Sequence, residues 1–340
     1  MSLNFYLQKT IAGQSLSESE AAGACEILLQ QQSSSAPAGA LLTALHLRGE
    51  TPDEIVGFAQ NLRKQVDSVA VDVAPLTEIF SAVPSTLPVV TLGAALLVAG
   101  CGGRVAKLLV RSSQTKEIDL LPQLGINNIP QPDETRRQLQ GMGIGFINIT
   151  QHFEKLRSLR AHQEALGIPH LFDWILPLAH PAKISSLLIA IERPQTVTAL
   201  AQALRRLRFD RGFVIASAHG SCPFTAPGPL VAAELRNGRI SQDEYSASDF
   251  GLDIPGDLQS DLPANSAAAQ VGWFKAFVDQ RPSPVTDSIR WTAACALVSA
   301  GRAENLPEAI DLADRAIKSN KISSLLAKLE TLMPHNLIEA

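Results

Sequence analysis

Two basic residues and two hydroxyl residues lie close together in the sequence near the end of a predicted strand. Lys107 and Arg111 enclose three apolar residues, and Ser112 and Ser113 follow directly. Ammonium, guanidinium and hydroxyl groups together can hold an anion such as a phosphate. These residues therefore predict a candidate anion site. The alternative is a solvated strand terminus, because charged residues are mostly exposed in proteins.

The cysteines do not predict a metal centre or a disulfide framework. They lie far apart in the sequence and form no C-x-x-C pair, the spacing typical of zinc sites. Their neighbours are mostly small or apolar, so we expect small buried core residues. The four positions are Cys25, Cys101, Cys222 and Cys295.

Helical signals fill residues 1–68. Ser17 with Glu20, and Thr51 with Glu54, have the spacing of capping boxes, in which a hydroxyl and a glutamate satisfy the first N–H groups of a helix. The pattern predicts a small α-helical bundle domain over 1–68, followed by a second domain over 69–340.

Strands and helices then alternate to about residue 250, a pattern typical of an α/β sheet. Asn237-Gly238 predicts a tight hairpin at one edge of the sheet. We expect a mostly parallel central sheet with helices on both faces, closed by a helical C-terminal segment over 284–333. The predicted strands are 104–110, 143–149, 185–191 and 212–217, and the predicted helices include 89–100, 194–207, 284–301, 307–318 and 322–333.

The composition excludes several classes of function. The chain has 340 residues, of which 46% are hydrophobic and 18% charged, and this balance is typical of a globular protein. Its net charge of −4 argues against attraction of the whole surface to nucleic acid or anionic lipid. No apolar run reaches the length of a membrane span and no signal peptide is evident, so we expect a cytoplasmic protein without a membrane partner.

Three segments, 36–65, 142–182 and 285–330, resemble the anthranilate phosphoribosyltransferase family. Met142–Phe146 is similar to the family's G-I-G-F strand, and Leu166–Ala182 to its L-G-I-R-T-I-F-N-L-L-G-P-L-T-N-P-A stretch. The resemblance implies a helical domain hinged to an α/β domain, a ligand cleft between them, and a homodimer formed through the helical domain.

The resemblance also implies a site whose main groups have changed in this chain. The family's glycine-rich G-T-G-G-D turn, which holds the phosphates of phosphoribosyl pyrophosphate, corresponds to Ser81–Ser85, a segment without glycine. Thr91 keeps a hydroxyl where the family has a serine. Lys107 and Arg111 keep the ends of its K-H-G-N-R motif.

The metal-binding and acid-binding groups of the family are replaced as well. The family's Asp-Glu pair, which binds Mg²⁺, follows an H-G dipeptide, but here no acidic residue lies between Arg211 and Glu234. The arginine that would pair with a substrate carboxylate is missing from residues 162–165. We therefore expect no cofactor, because the Mg²⁺ site is lost.

Two further candidates follow from the resemblance. His152 lies near a cleft-lining segment of the family, but it could equally begin a surface helix, so both placements stay open. Trp174 replaces a leucine, and it either stacks on a flat ligand or fills vacated space.

Together these observations predict a pseudoenzyme. We expect a divergent family member that does not carry out magnesium-dependent phosphoribosyl transfer. It would bind a small molecule in the interdomain cleft or have a regulatory role. One alternative is an active glycosyltransferase, the anthranilate phosphoribosyltransferase of tryptophan biosynthesis, with substituted site residues. A nucleic-acid-binding branch is a further alternative. The clustered arginines near Arg205 lack interleaved aromatic residues and so argue against it.

Overall fold

The structure, a computed structural model, describes residues 2–30, 35–83, 86–110, 117–126, 131–156, 166–168, 170–255 and 266–332. The amino-terminal part is helical, as the capping pattern predicts. Both predicted capping boxes form, at Ser17 and at Thr51. The four helices are α1 (Leu3–Ile11), α2 (Glu18–Leu28), α3 (Ser35–Arg48) and α4 (Pro52–Gln65).

The carboxylate of Glu54 extends the second capping box into a tertiary contact. It accepts the N–H of Thr51 at 2.9 Å and the N–H of Leu16 at 2.8 Å, and it pairs with the guanidinium of Arg48. Glu54 is fully buried, and these donors offset the cost of removing its charge from water. One side chain thus caps α4 and fixes the chain that leads into α2.

In the described part of the remaining chain, a seven-stranded sheet forms the centre. Its order is β3-β2-β1-β4-β5-β6-β7; the first five strands are parallel and the last two pair antiparallel. The carboxyl ends of β1 to β5 therefore share one edge, where ligands of α/β proteins commonly bind. The strands are β1 (Thr77–Ser81), β2 (Val105–Leu109), β3 (Ile144–Asn148), β4 (Ser186–Ile191), β5 (Arg211–Ser217), β6 (Leu230–Arg236) and β7 (Arg239–Tyr245).

Helices cover both faces of the sheet, as predicted. Ile79 and Phe213 point into a core shared with the long apolar helix after β1 and with the C-terminal helices. Phe80 and Leu187 point into the other core, which contains the amino-terminal helices. The remaining helices are α5 (Pro88–Gly100), α6 (Glu117–Leu120), α7 (Pro132–Met142), α8 (Leu171–Ile175), α9 (Val197–Arg206), α10 (Ala267–Val278), α11 (Thr286–Ser299), α12 (Leu306–Lys318) and α13 (Lys321–Leu332).

The predicted hairpin is confirmed. Asn237 and Gly238 both have positive φ, 50° and 77°, and Arg236 pairs with Arg239 across them. A type I′ turn requires positive φ at both central positions, which asparagine and glycine tolerate best. Elsewhere the predicted elements shift by one or two residues at their ends, and the helix expected from residue 194 starts with the 3₁₀ turn Pro194–Thr196.

Candidate functional site

The loop after β1 satisfies its hydroxyl groups internally. Ser81 hydrogen-bonds to Thr86, and the Thr86 hydroxyl donates to the carbonyl of Val83 at 2.7 Å. Ser81 and Thr86 are both buried, and Val83 is only 1% exposed. Pro84 and Ser85 lie outside the described residues. The described part of this loop is a packed turn in which the Ser81 and Thr86 hydroxyls bond within the turn and do not face an open phosphate site.

The loop after β5 packs against the same turn. Cys222 and Phe224 are fully buried in the core that contains Val83, and the sulfur of Cys222 lies 3.4 Å from the hydroxyl of Thr86. Burial raises the pKa of the Cys222 thiol, which keeps it neutral. Within the described ranges, no three His, Cys, Asp or Glu side chains are arranged to hold a metal ion.

Lys107 does not lie at a solvated strand terminus, and its side chain is almost completely removed from solvent. Its ammonium lies 3.1 Å from a carboxylate oxygen of Glu78, and the two side chains are 2% and 0% exposed. The ammonium also donates to the carbonyl of Ile79 at 2.9 Å. The residue is buried because an acidic partner on the neighbouring strand neutralises it. Arg111, Ser112 and Ser113 lie outside the described residues.

This ion pair sits where β1 and β2 separate. Only Thr77 and Val105 are in register between them, whereas β1 and β4 pair over five residues. Where the two strands separate, their backbone groups no longer bond to each other and side chains replace the missing partners. The Glu78 carboxylate accepts the N–H of Leu108. Buried backbone polar groups need such partners.

His180 completes the same buried cluster from the segment before β4. Its Nδ1 accepts the N–H of Ala182 at 3.1 Å, so Nε2 carries the proton and donates to the carbonyl of Ala106 at 3.0 Å. Nε2 also lies 3.3 Å from Glu78. Sequence reasoning missed Glu78 and His180, since single polar residues among apolar neighbours give no local signal of being partners.

Three further predicted site residues are buried in the structure: Thr91, His152 and Trp174. The Thr91 hydroxyl donates to the carbonyl of Pro88, 3.0 Å away, within the fully buried helix α5. His152 does not begin a surface helix: it is 8% exposed at the end of a 3₁₀ turn, and its carbonyl accepts the N–H of Asp67. Trp174 is 9% exposed and packs in the core shared with the amino-terminal helices, which favours the space-filling alternative.

A titratable cluster occupies the junction between the helical part and the carboxyl end of β4. Glu50 follows α3, and its carboxylate lies 3.6 Å from the guanidinium of Arg193, which follows β4. Arg193 also donates to the carbonyl of His46. Burial raises the pKa of Glu50 to about 7, although the charge of Arg193 opposes the shift. Glu50 can therefore hold or release a proton near neutral pH, a property that sequence reasoning did not find.

Comparison with known proteins identifies the family. The α/β domain of a glycosyl transferase family matches residues 86–322, and the helical bundle domain of the same family matches residues 5–66. The anthranilate phosphoribosyltransferase of Methylocella silvestris is 36% identical over 330 residues, which are 95% of this chain and 93% of the relative. The chain belongs to the anthranilate phosphoribosyltransferase family. A further relative from Moorella thermoacetica, of the same name, is 30% identical and covers 97% of the chain and 99% of its own length.

Solved structures of family members share the fold. The anthranilate phosphoribosyltransferase of Thermus thermophilus superposes with a TM-score of 0.83 at 25% identity, over 96% of this chain and 99% of that one. The Saccharomyces cerevisiae enzyme in complex with PRPP and Mg gives a TM-score of 0.81 over 97% of both chains, at 16% identity. The second comparison supports the fold alone.

Proposed function

We propose that this family member binds a small molecule at the carboxyl edge of the sheet and does not transfer phosphoribosyl groups with Mg²⁺. The observation that carries the proposal is the contact between the loops after β1 and β5. Thr86 and Cys222 lie 3.4 Å apart there, and Val83 and Phe224 are buried in one core. Apolar packing at this position leaves little room for a hydrated diphosphate and its cation.

We also propose that this protein acts without magnesium. Mg²⁺ is bound through carboxylates and keeps several of its waters. The segment from Ser217 to Ala226 carries no acidic side chain, and Cys222, Phe224 and Ala226 within it are buried. The chemistry of these side chains does not suit the ion, so we assign no step to it.

A second candidate function is the active enzyme, an anthranilate phosphoribosyltransferase acting in tryptophan biosynthesis. The full-length relatives that bear this name, at 30% to 36% identity, support it. Taken alone, this similarity favours transfer over binding. In this case other side chains of the cleft would bind phosphoribosyl pyrophosphate, and the protein would be a glycosyltransferase.

One experiment separates the two candidates. Calorimetry with phosphoribosyl pyrophosphate, with and without Mg²⁺, is combined with a fluorescence assay of anthranilate consumption, and the Methylocella silvestris enzyme is the positive control. Binding without transfer, or no binding of this donor, is the expected result. Micromolar, magnesium-dependent binding together with anthranilate consumption establishes the second candidate and rules out the first.

We further propose a cytoplasmic homodimer formed through the helical part, with the domain division at about residue 68. Three apolar side chains of the helical part are exposed to water: Phe5 at 43%, Ile11 at 69% and Leu47 at 76%. No helix among the described residues is long and apolar enough to cross a membrane. Covering these apolar side chains with a second copy of the chain would remove them from water, which favours association.

Nucleic acid is not part of the proposal. The arginine cluster at the end of α9 is partly neutralised, because Arg206 pairs with Glu18 at 2.6 Å and also with Asp53. These pairs join α9 to the first turns of α2 and α4. A guanidinium held in this way contributes little to a phosphate-binding surface.

A further inference from the structure

A separate cavity lies at the opposite, amino edge of the sheet. It has a volume of about 400 Å³, within the range of small-molecule sites. Three segments form it: the end of α4 with the residues that follow, residues 177–185 before β4, and Leu207–Phe209 before β5. The helical part and the α/β part therefore both contribute walls.

The walls of this cavity combine apolar and cationic groups. Val66, Leu178, Ile184, Leu207 and Phe209 supply apolar surface. The charged side chains in the lining are Arg63, Lys183 and Arg208, and among the described residues no aspartate or glutamate lines the cavity. Three cations around one cavity, in a chain of net charge −4, favour an anionic ligand.

Arg63, on α4, contacts both of the other segments that form the cavity. Its Nε donates to the carbonyl of Leu178 at 2.8 Å and its Nη1 to the carbonyl of Leu207 at 3.2 Å. The guanidinium also lies over the ring of Phe209, 5.6 Å from the centroid. The position of this cation is fixed by three contacts, and its charge adds to the field inside the cavity.

Lys183 and Arg208 occupy backbone positions that side chains usually avoid. Their φ angles are 50° and 63°, in the left-handed region that favours glycine. Arg208 follows the last turn of α9, where its N–H bonds to the carbonyl of Arg205. Glycine would suit both positions better, so the local backbone preference does not account for either side chain.

We propose that this cavity is a second ligand site, which binds a small organic anion with an apolar body. The apolar walls hold the body, and the cations of Arg63, Lys183 and Arg208 hold a carboxylate or sulfonate group. The site is independent of the function proposed above, because it lies at the amino edge of the sheet and the loops after β1 and β5 lie at the carboxyl edge.

The test uses the fluorescent anion 8-anilinonaphthalene-1-sulfonate with the full chain. We expect one saturable site whose affinity falls as salt rises, since charge contributes to binding. In the double variant Lys183→Gly/Arg208→Gly the affinity should fall by about tenfold, the order expected for losing two charged contacts. Glycine relieves the backbone strain at both positions, so the variant should remain folded; its thermal unfolding is measured alongside.

Two controls make the result specific. Arg205→Gln removes a neighbouring exposed cation outside the cavity and should leave the affinity unchanged. The uncharged analogue N-phenyl-1-naphthylamine should bind at least about tenfold more weakly, because it lacks the anionic group. Equal affinity of the double variant and the unaltered protein, equal binding of the uncharged analogue, or absence of saturable binding overturns the proposal.

Discussion

The ammonium of Lys107 and the carboxylate of Glu78 are 3.1 Å apart and almost completely removed from water. Desolvation of two charges is costly, and their attraction offsets this cost only while both partners remain. The sequence shows a lysine within a predicted strand but not the glutamate 29 residues earlier that lies beside it. This partner explains why the Lys107 ammonium does not face solvent, while the other members of the predicted anion site lie outside the described residues.

Replacing Lys107 with methionine should destabilise the protein strongly. The variant keeps the hydrocarbon length but leaves Glu78 charged and buried, which typically costs about 3–5 kcal/mol. Urea unfolding followed by circular dichroism measures the change. In the double variant Glu78→Gln/Lys107→Met much of the lost stability should return; a single variant as stable as the unaltered protein would contradict the structural role of the pair.

Glu50 makes stability depend on pH. Its pKa is raised to about 7 in the folded protein, against an ordinary value of 4.5, so the folded state binds the proton more tightly than the unfolded chain. The contribution of Glu50 to the free energy of unfolding is therefore fully present below about pH 4.5, and it is lost as the pH rises through about 7.

The variant Glu50→Gln tests this dependence. It should raise the free energy of unfolding by roughly 2–3 kcal/mol at pH 8, because the amide carries no charge to bury. At pH 4 the difference should nearly vanish. Unfolding curves at the two pH values provide the measurement, and an equal effect at both would show that the carboxyl does not titrate between them.

At the scale of secondary structure, Gly57 determines how closely α2 and α4 approach. A Cβ at this position would lie 2.3 Å from the carbonyl oxygen of Glu18 and 2.8 Å from the Cβ of Ala21. Neither atom belongs to a flexible side chain that could move away. The absence of a side chain at Gly57 is therefore a packing requirement.

We expect Gly57→Ala to destabilise the protein by about 1–3 kcal/mol, the usual cost of overpacking. Gly141→Ala is the matched control: Gly141 lies within α7 with open space around its Cα, and alanine there should stabilise by about 0.5–1 kcal/mol. Thermal unfolding compares the two. A stabilised Gly57 variant would mean that the two helices can separate without cost.

The elements were largely predictable from sequence, and the site was not. The capping residues Ser17 and Thr51 and the turn residues Asn237 and Gly238 act through bonds and dihedral angles of adjacent residues, which sequence spacing reveals. The partners of Lys107, and the raised pKa of Glu50, depend on residues brought together only by folding. Trp174 belongs to the same group, because its burial depends on the amino-terminal helices.

At the scale of the whole molecule, the exposed apolar side chains of the helical part predict an interface. In the double variant Ile11→Asp/Leu47→Asp, two charges would enter that interface, and the protein should elute as a monomer with unchanged helix content. Light scattering coupled to size-exclusion chromatography gives the mass. Ala12→Asp, which adds one negative charge at a neighbouring exposed position, is the control. A monomeric unaltered protein would contradict the proposed dimer.

The hairpin of β6 and β7 also limits how copies of this protein can associate. β7 is the last strand of the sheet, and Arg239, Gln242, Asp243 and Glu244 on it are exposed. A strand from another copy that added to this edge would have to desolvate the charged side chains of Arg239, Asp243 and Glu244, which disfavours the contact. At high concentration the protein should therefore resist growth into fibrillar aggregates along this side of the sheet.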